Sequence, residues 1–357
     1  MNKELFMKTI TVNASKKYNI IIDKNILSKV GEIAANEVGV SSCAVITDST
    51  VDNLYSSTLI ASLKSAGYKV SKFVFEAGEQ SKNATVFVEI LEFLATSGLT
   101  RSDCIFALGG GVVGDIAGFA ASVYLRGIKF VQIPTTLLAM VDSSVGGKTG
   151  IDLKAGKNLA GAFHQPSLVI CDTSLLSTLT PEIFADGCAE VIKYGVINDT
   201  ELISLINAGI SQNIEEVVAA CINDKRIVVE EDEFDNGCRQ LLNLGHTVGH
   251  AIEKCSNFNI SHGSAVSIGM VIITRSAVKS EQCVHSALNE LIKILKANSL
   301  PTECNYSAKE LASVALSDKK RKGNTITLAV PYNIGDTKLV KISVDDLEAF
   351  IERGLSE

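Results

Sequence analysis

The sequence has no run of the roughly 18 apolar residues that a membrane-spanning helix needs. Its nearest candidate, from Cys104 to Leu125, is broken by Gly109, Gly110, Gly111 and Asp115. The first residues, MNKELFMKTI, hold no apolar stretch long enough for a secretory signal. A cytoplasmic protein with no membrane partner is therefore expected. CxxC pairs are missing as well, and the nine cysteines are scattered and odd in number. That gives no sign of a disulfide framework or a cysteine zinc site, and points to buried or inert thiols. Nor is there an excess of positive charge: the net charge of -7 argues against nucleic acid as a partner. A small anionic substrate is still open, because it needs only cations placed locally. Internal repeats and low-complexity linkers are absent.

What is present suits a soluble, well-packed enzyme, with 46% hydrophobic and 20% charged residues. At 357 residues the chain is too long for one ordinary core. In the first half, β-rich runs at 43–47, 69–75, 103–108, 129–133 and 167–172 alternate with amphipathic stretches. In one of these, 83–97, Val86, Ile90, Leu91 and Leu94 recur at helical spacing. This alternation predicts an α/β domain with a Rossmann-like, mostly parallel sheet covered on both faces. From Pro181 onward the pattern turns to long helices, at 213–231, 239–256 and 262–280, with a hairpin-like pair at 325–330 and 338–342. The expected division is 1–176 for the α/β domain and 177–357 for a mainly helical one, with a cleft between them as the default ligand site.

Three sets of residues carry chemistry. Gly109-Gly110-Gly111-Val112-Val113-Gly114-Asp115 follows a predicted strand and opens a predicted helix. Such a run serves either as a phosphate cradle at a helix N-terminus or for tight helix–sheet packing. No acidic residue follows about 20 positions later to hold a ribose. Asp48, ending the 43–47 run, is a ribose candidate or else a helix N-cap. Second, three of the five histidines, His246, His250 and His262, fall close together. His246 and His250 share a helix face, as neutral imidazoles on a divalent metal would. Thr247 stands where a zincin motif needs glutamate. Glu190, three before Lys193 among apolar neighbours, is either half of an ion pair or a carboxylate completing that site. Third, cations gather in Gly- and polar-rich segments: Arg126, Lys148, Lys157, Lys193, Lys225, Arg239, Lys319 and Lys320. GGKTG and AGKNLAG place two of them in glycine-flanked loops, open to an anion with more than one negative charge. Solvated surface lysines are the plainer alternative.

These residues resemble the 3-dehydroquinate synthase family of the shikimate pathway, which makes precursors of the aromatic amino acids. The likeness runs from about residue 76 to 322 through GEQSK, GGGVVGD, YLRG, PTT, VDSSVGGKTG, GKNLAG, AEVIKYG, LNLGHTVGHAIE, HG and DKK. The resemblance implies that Glu190, His246 and His262 hold a divalent metal, zinc or cobalt. It implies NAD contacts at Asp48, Glu79, Lys82, Gly110, Gly111, Asp115, Thr135, Thr136, Asp142, Thr178 and Leu179, with Lys148 and Lys157 beside them. Lys148, Lys193, Lys225, Arg239, Asn243 and His250 would act on the substrate. Asn158 and Lys320 would bind it, Lys319 or Lys320 near the phosphate. Arg126 would reach into a neighbouring subunit's site, which implies a homodimer. The implied reaction converts 3-deoxy-D-arabino-heptulosonate 7-phosphate, a phosphorylated sugar acid, to 3-dehydroquinate and phosphate. Its steps are transient oxidation by NAD, phosphate elimination, reduction, ring opening and aldol closure. Another sugar-phosphate cyclase is the nearest rival, although Asn243 and DKK keep the dehydroquinate-synthase form. A metal-dependent alcohol or glycerol dehydrogenase is a second rival, with no use for so many cations. A scaffold protein that keeps the fold is the third.

Overall fold

The computed structural model describes residues 7–317 and 324–356. They form two compact units. The first runs to Leu179 and takes in Lys225–Glu233; the second begins at Thr180 and omits that segment.

In the first unit the strands are β1 (Lys8–Asn13), β2 (Lys17–Asp23), β3 (Ser42–Asp48), β4 (Lys69–Phe75), β5 (Cys104–Gly109) and β6 (Lys129–Pro134). They are followed by β7 (Lys148–Leu153), β8 (Gly156–Phe163) and β9 (Leu168–Asp172). Seven build one sheet in the order β1-β2-β9-β6-β5-β3-β4. The β1–β2 pair is antiparallel and the other neighbours are parallel, which bears out the predicted sheet. β5 and β9 are buried along their whole length, as continuous apolar strands between two layers must be. The helices are α1 (Val30–Val38), the single turn α2 (Ser49–Val51), α3 (Ser57–Ser65), α4 (Ala84–Thr96) and α5 (Gly111–Val123). Ile90 and Leu94 of α4 and Ile116 of α5 pack in one core with Ala44, Ile46, Ile105 and Ala107 of the sheet. The alternate residue Phe106 faces the other side, edge-on to Tyr68 at 5.5 Å.

GGKTG and AGKNLAG are not the expected loops. They form the separate hairpin β7–β8, with Gly150 opposite Gly161. A Cβ on Gly161 would lie 2.1 Å from the Thr149 carbonyl, so these glycines serve close strand pairing.

The second unit contains α6 (Pro181–Ile197) and α7 (Thr200–Ala208), capped by the side chains of Thr180 and Asp199. Next come α8 (Ile214–Glu231), α9 (His246–Cys255), α10 (His262–Lys279), α11 (His285–Ala297), α12 (Ala308–Ser317) and α13 (Leu347–Leu355). β10 (Thr325–Asn333) and β11 (Asp336–Ser343) make the expected hairpin. α10 packs against α6, α9, α11 and α13 and is apolar nearly all round, as a central helix must be. From Lys225 onward α8 belongs to the first unit. There Glu230 accepts the Asn13 N–H at 2.7 Å, and Glu233 accepts the Ser15 N–H and the Gln165 side-chain amide, each at 2.8 Å.

The predicted single helix over 239–256 is in fact two pieces. A 3-10 turn, Cys238–Asn243, is followed by Leu244 in extended backbone and by Gly245 at φ +79°. The left-handed conformation suits glycine, and a Cβ there would also lie 2.6 Å from the Val266 carbonyl. Among the described residues no helix is long and apolar enough to cross a membrane.

Candidate active site

In the second unit, the close approach of three helices gathers the histidines. Gly263 lets the start of α10 lie on α6: a Cβ there would meet the Asp186 backbone at 2.3 Å. His262 is thereby set beside Glu190, one turn farther along α6. Glu190 is fully buried, and among the described residues its Oε1 has no hydrogen-bond donor. That oxygen lies 3.4 Å from Nε2 of His246 and 3.3 Å from Nε2 of His262. A tetrahedral zinc with bonds of about 2.1 Å separates its ligand atoms by about 3.4 Å. The two oxygen–nitrogen distances are therefore edge lengths of a metal tetrahedron, all three donor atoms lie within 4.8 Å of one another, and the donor set fits a divalent ion. Because the Leu244 carbonyl can only accept, His246 Nδ1, 3.1 Å away, must carry the proton and leave Nε2 as a ligand. The other Glu190 oxygen takes the Lys193 ammonium at 2.5 Å. Glu190 and Lys193 are thus a buried pair.

Electrostatics divides the roles. Burial would raise the Glu190 carboxyl, but the Lys193 ammonium and the two imidazoles hold it well below the usual range. Burial pushes His246 down to about 4, against the pull of Glu190. For His262, burial is outweighed by the carboxylates of Glu190 and Glu253, one beside each ring nitrogen, and the imidazole rises to about 10. His246 is thus neutral and ready to ligate, while His262 carries a proton that a metal must displace. His250 completes the cluster, its ring 5.4 Å from that of His246 and 6.0 Å from that of His262. A second group, His250, Glu253 and His262, also has donor atoms within 4.8 Å of one another. Among the described residues, only the Glu190 set combines this spacing with an orphan buried oxygen. Arg239, 2% exposed, and Asn243 lie on the 3-10 turn that leads into His246. Lys320, expected near a phosphate, and Lys319 lie outside the described residues.

In the first unit the candidate cofactor residues gather where the connections from the sheet reverse direction. β3 leads on to β4 on one side and its neighbour β5 leads to β6 on the other, so the switch point at which such sheets bind ligands lies at the carboxyl ends of β3 and β5. Gly110 caps α5 without a side chain and Gly111 is its first residue. Cβ atoms there would lie 3.2 Å from Thr136 Cγ2 and from Ser143 Oγ, a tight approach that favours glycine and keeps side chains off the helix N-terminus, where an anion would bind. The Thr135 N–H is bound by the Gly109 carbonyl, and Thr136 Oγ1 accepts from Ala139 N–H. Asp48 at the end of β3 caps α2, its Oδ1 accepting from Thr50 and Val51 at 2.9 Å. The cap uses one oxygen only.

Beside the glycines, Lys82 Nζ lies 2.6 Å from both Asp115 Oδ2 and Asn158 Oδ1. Burial would lower this ammonium, but Asp115 and Glu79 raise it, so it stays charged. Glu79 lies 3.7 Å from the Lys157 ammonium on β8. Lys148 starts β7 and is exposed. Asp142 takes the Lys225 ammonium on both its carboxylate and its carbonyl. Thr178 Oγ1 is 2.5 Å from the Tyr55 hydroxyl, and Leu179 follows at the end of the same 3-10 helix. Arg126 sits apart on an exposed turn, where Leu125 and Arg126 both have positive φ, +49° and +68°.

Sequence reasoning gave no role to Glu253, which is 3% exposed and faces His262 Nδ1. Its signal was present: it stands seven after His246 and three after His250, on one face of α9.

Family models described as 3-dehydroquinate synthase N-terminal and C-terminal match residues 72–186 and 187–321. A 3-dehydroquinate synthase of Enterococcus faecalis is 41% identical over 97% of this chain and 99% of its own. One of Clostridium acetobutylicum is 42% identical over 94% and 97%. In fold, the chain is similar to a 2-deoxy-scyllo-inosose synthase crystallised with carbaglucose-6-phosphate, NAD+ and Co2+. That similarity has a TM-score of 0.84 at 23% identity, covering 98% of this chain and 100% of that one. A 2-epi-5-epi-valiolone synthase from Streptomyces hygroscopicus with NAD+ and Zn2+ bound gives 0.86 at 24% identity, covering 96% and 98%. The glycine-capped helix, the orphaned glutamate and the histidines around it thus occur in a chain that belongs to the 3-dehydroquinate synthase family.

Proposed function

We propose that this enzyme converts 3-deoxy-D-arabino-heptulosonate 7-phosphate to 3-dehydroquinate and phosphate with NAD and one divalent metal, zinc or cobalt. The observation that carries this reading is the buried Glu190, one oxygen turned to two imidazole nitrogens and the other held by Lys193. Glu190, His246 and His262 would hold the metal. Gly110 and Gly111 would face the NAD pyrophosphate, Asp48 its ribose, and Glu79, Lys82, Asp115, Thr135, Thr136, Asp142, Thr178 and Leu179 the rest of the nucleotide. When bound, NAD supplies a reversible hydride acceptor, and the metal a Lewis acid that lowers the pKa of a substrate hydroxyl.

The chain's own share is to hold an anionic substrate still through the whole sequence of steps. Lys193 and Arg239, 1% and 2% exposed, are cations withdrawn from water, where each attracts an anion more strongly than at the surface. Lys193 sits against the candidate metal ligand, and Arg239 and Asn243 sit on the turn before His246. His250, one turn after His246, would exchange a proton with the substrate. Lys148, Lys157, Asn158 and Lys225 would add contacts to cofactor or substrate. Elimination needs no further base where the leaving phosphate takes the proton. Ring opening and aldol closure then need only a substrate that stays oriented.

We also assign a homodimer in the cytoplasm. The strained, exposed Arg126 turn offers a guanidinium to a neighbour, and nine cysteines outside any disulfide suit a reducing compartment. Subunits of Arg126→Ala mixed with subunits of Lys148→Ala, each inactive alone, should regain activity; exchange without recovery refutes the shared site. The decisive assay for the reaction follows phosphate and NADH together. Phosphate should match 3-dehydroquinate mole for mole with NAD in catalytic amount, whereas stoichiometric NADH would reveal a dehydrogenase.

A further inference from the structure

Glu253 is a buried carboxylate that neither the reaction nor the metal ligands account for. A carboxylate at 3% exposure is costly unless a specific partner repays its desolvation. Its Oε2 lies 3.4 Å from Nδ1 of His262, the ring nitrogen opposite the one that faces Glu190. An acceptor there keeps a proton on Nδ1, so the proton that a metal displaces is the one on Nε2, whose lone pair then faces the same point as Glu190 Oε1. The Leu244 carbonyl does the same for His246. The two imidazoles are therefore oriented differently: a neutral carbonyl holds one, and a full negative charge holds the other.

We propose that Glu253 is a positioning residue for the metal centre, which fixes the tautomer and orientation of His262 and makes its Nε2 the more strongly donating of the two imidazole ligands. The position follows from the helix: Glu253 is two turns after His246 on α9, so one rigid element carries both a candidate ligand and the group that orients another. The charge also strengthens the bond, since a carboxylate on Nδ1–H raises the basicity of the opposite nitrogen. The inference rests on the proposed metal site, and the test separates the two.

Cobalt(II) is titrated into metal-free protein against a chelator of known affinity, with the visible cobalt spectrum recorded alongside. Glu253→Gln keeps the size and removes the charge. It should bind cobalt about 10- to 100-fold more weakly and shift the visible band. Unchanged affinity with an unchanged band overturns the proposal, even if the protein melts at a lower temperature, because a structural role alone predicts that result. Should the Gln variant not fold, Glu253→Asp takes its place: the shorter side chain keeps the charge but loses reach, and unchanged affinity there is equally decisive. Glu190→Gln is run in parallel. If it loses cobalt while Glu253→Gln binds normally, only the positioning role fails. If Glu190→Gln binds like the parent and Glu253→Gln loses cobalt entirely, the ion sits on His250, Glu253 and His262, and both readings fall.

Discussion

The two units assemble functional groups by opposite means. In the first, candidate contacts hang from turns at the carboxyl ends of parallel strands, and many are backbone groups or small residues such as Gly110, Gly111 and Thr135. In the second, the key groups are large charged side chains projecting from helix faces into the interior, Glu190 and Lys193 foremost. A site made of turns tolerates changes at one position, because several N–H groups and a helix N-terminus share the load. A site made of buried charges does not, because removing one partner strands another.

The strongest challenge to this contrast is Glu190→Gln. It removes the carboxylate from two imidazoles and from Lys193 at once. Turnover should fall by more than the about 100-fold that loss of an outer partner costs, and the purified protein should lack metal by elemental analysis. Near-normal turnover with full metal content would mean that the helical site is no more brittle than the turns.

Lys82 asks whether the first unit hides a brittle point of its own. Lys82→Met leaves Asp115 without its ammonium and should cost about 3 kcal/mol in urea unfolding. Adding Asp115→Asn should return most of that loss, since no charge is then stranded. A double variant as unstable as the single one would show that packing of the lysine stem matters more than the ion pair.

A pH titration sharpens the comparison from the other side. The folded-state pKa of His262 is raised from 6.5 to about 10, so its proton stabilises the metal-free protein fully below about 6.5, and this contribution is lost as pH rises through 10. Metal-free protein should therefore melt at progressively lower temperature from pH 7 to 10, while metal-loaded protein lacks that slope. Apparent cobalt affinity should climb about tenfold per pH unit over the same range, one proton's worth of linkage. A flat affinity would place the ion away from His262.

The smallest effect separates two roles of Asp48. Asp48→Ala removes the cap and should cost about 1 kcal/mol, whereas Asp48→Asn keeps it within a few tenths. If both variants raise the KM for NAD alike, the carboxylate contacts the ribose. If only the alanine variant is affected, it is a cap.

How much of this was legible varied with the range of the contacts. The parallel sheet was readable because each strand and each covering helix announces itself locally, by apolar runs and 3.6-residue spacing. The edge pair β1–β2 was passed over, although KTITVN alternates as a strand should. His246 and His250 could be put on one face from spacing alone. That Glu190 joins them could be read only as one of two alternatives, because helix packing through Gly263 makes the contact, and the family resemblance chose between them. The break at Gly245 was invisible for a similar reason: the carbonyl that excludes a side chain there comes from Val266, in the next helix. Glu253 shares the face of His246 and His250 by its spacing, but only its burial sets it apart from a surface carboxylate, and burial is not written in the sequence.

The return of Lys225–Glu233 to the first unit has a consequence for synthesis on the ribosome. When residue 179 has been added, the sheet has all its strands, but Asp142, Asn13, Ser15 and Gln165 still lack partners that are encoded later. The nascent first unit cannot finish before residue 233 has left the exit tunnel, by which time α6 and α7 of the second have emerged too. A gene cut at the apparent boundary should therefore give an incomplete first unit, and a cut that adds a copy of 225–233 should fare better.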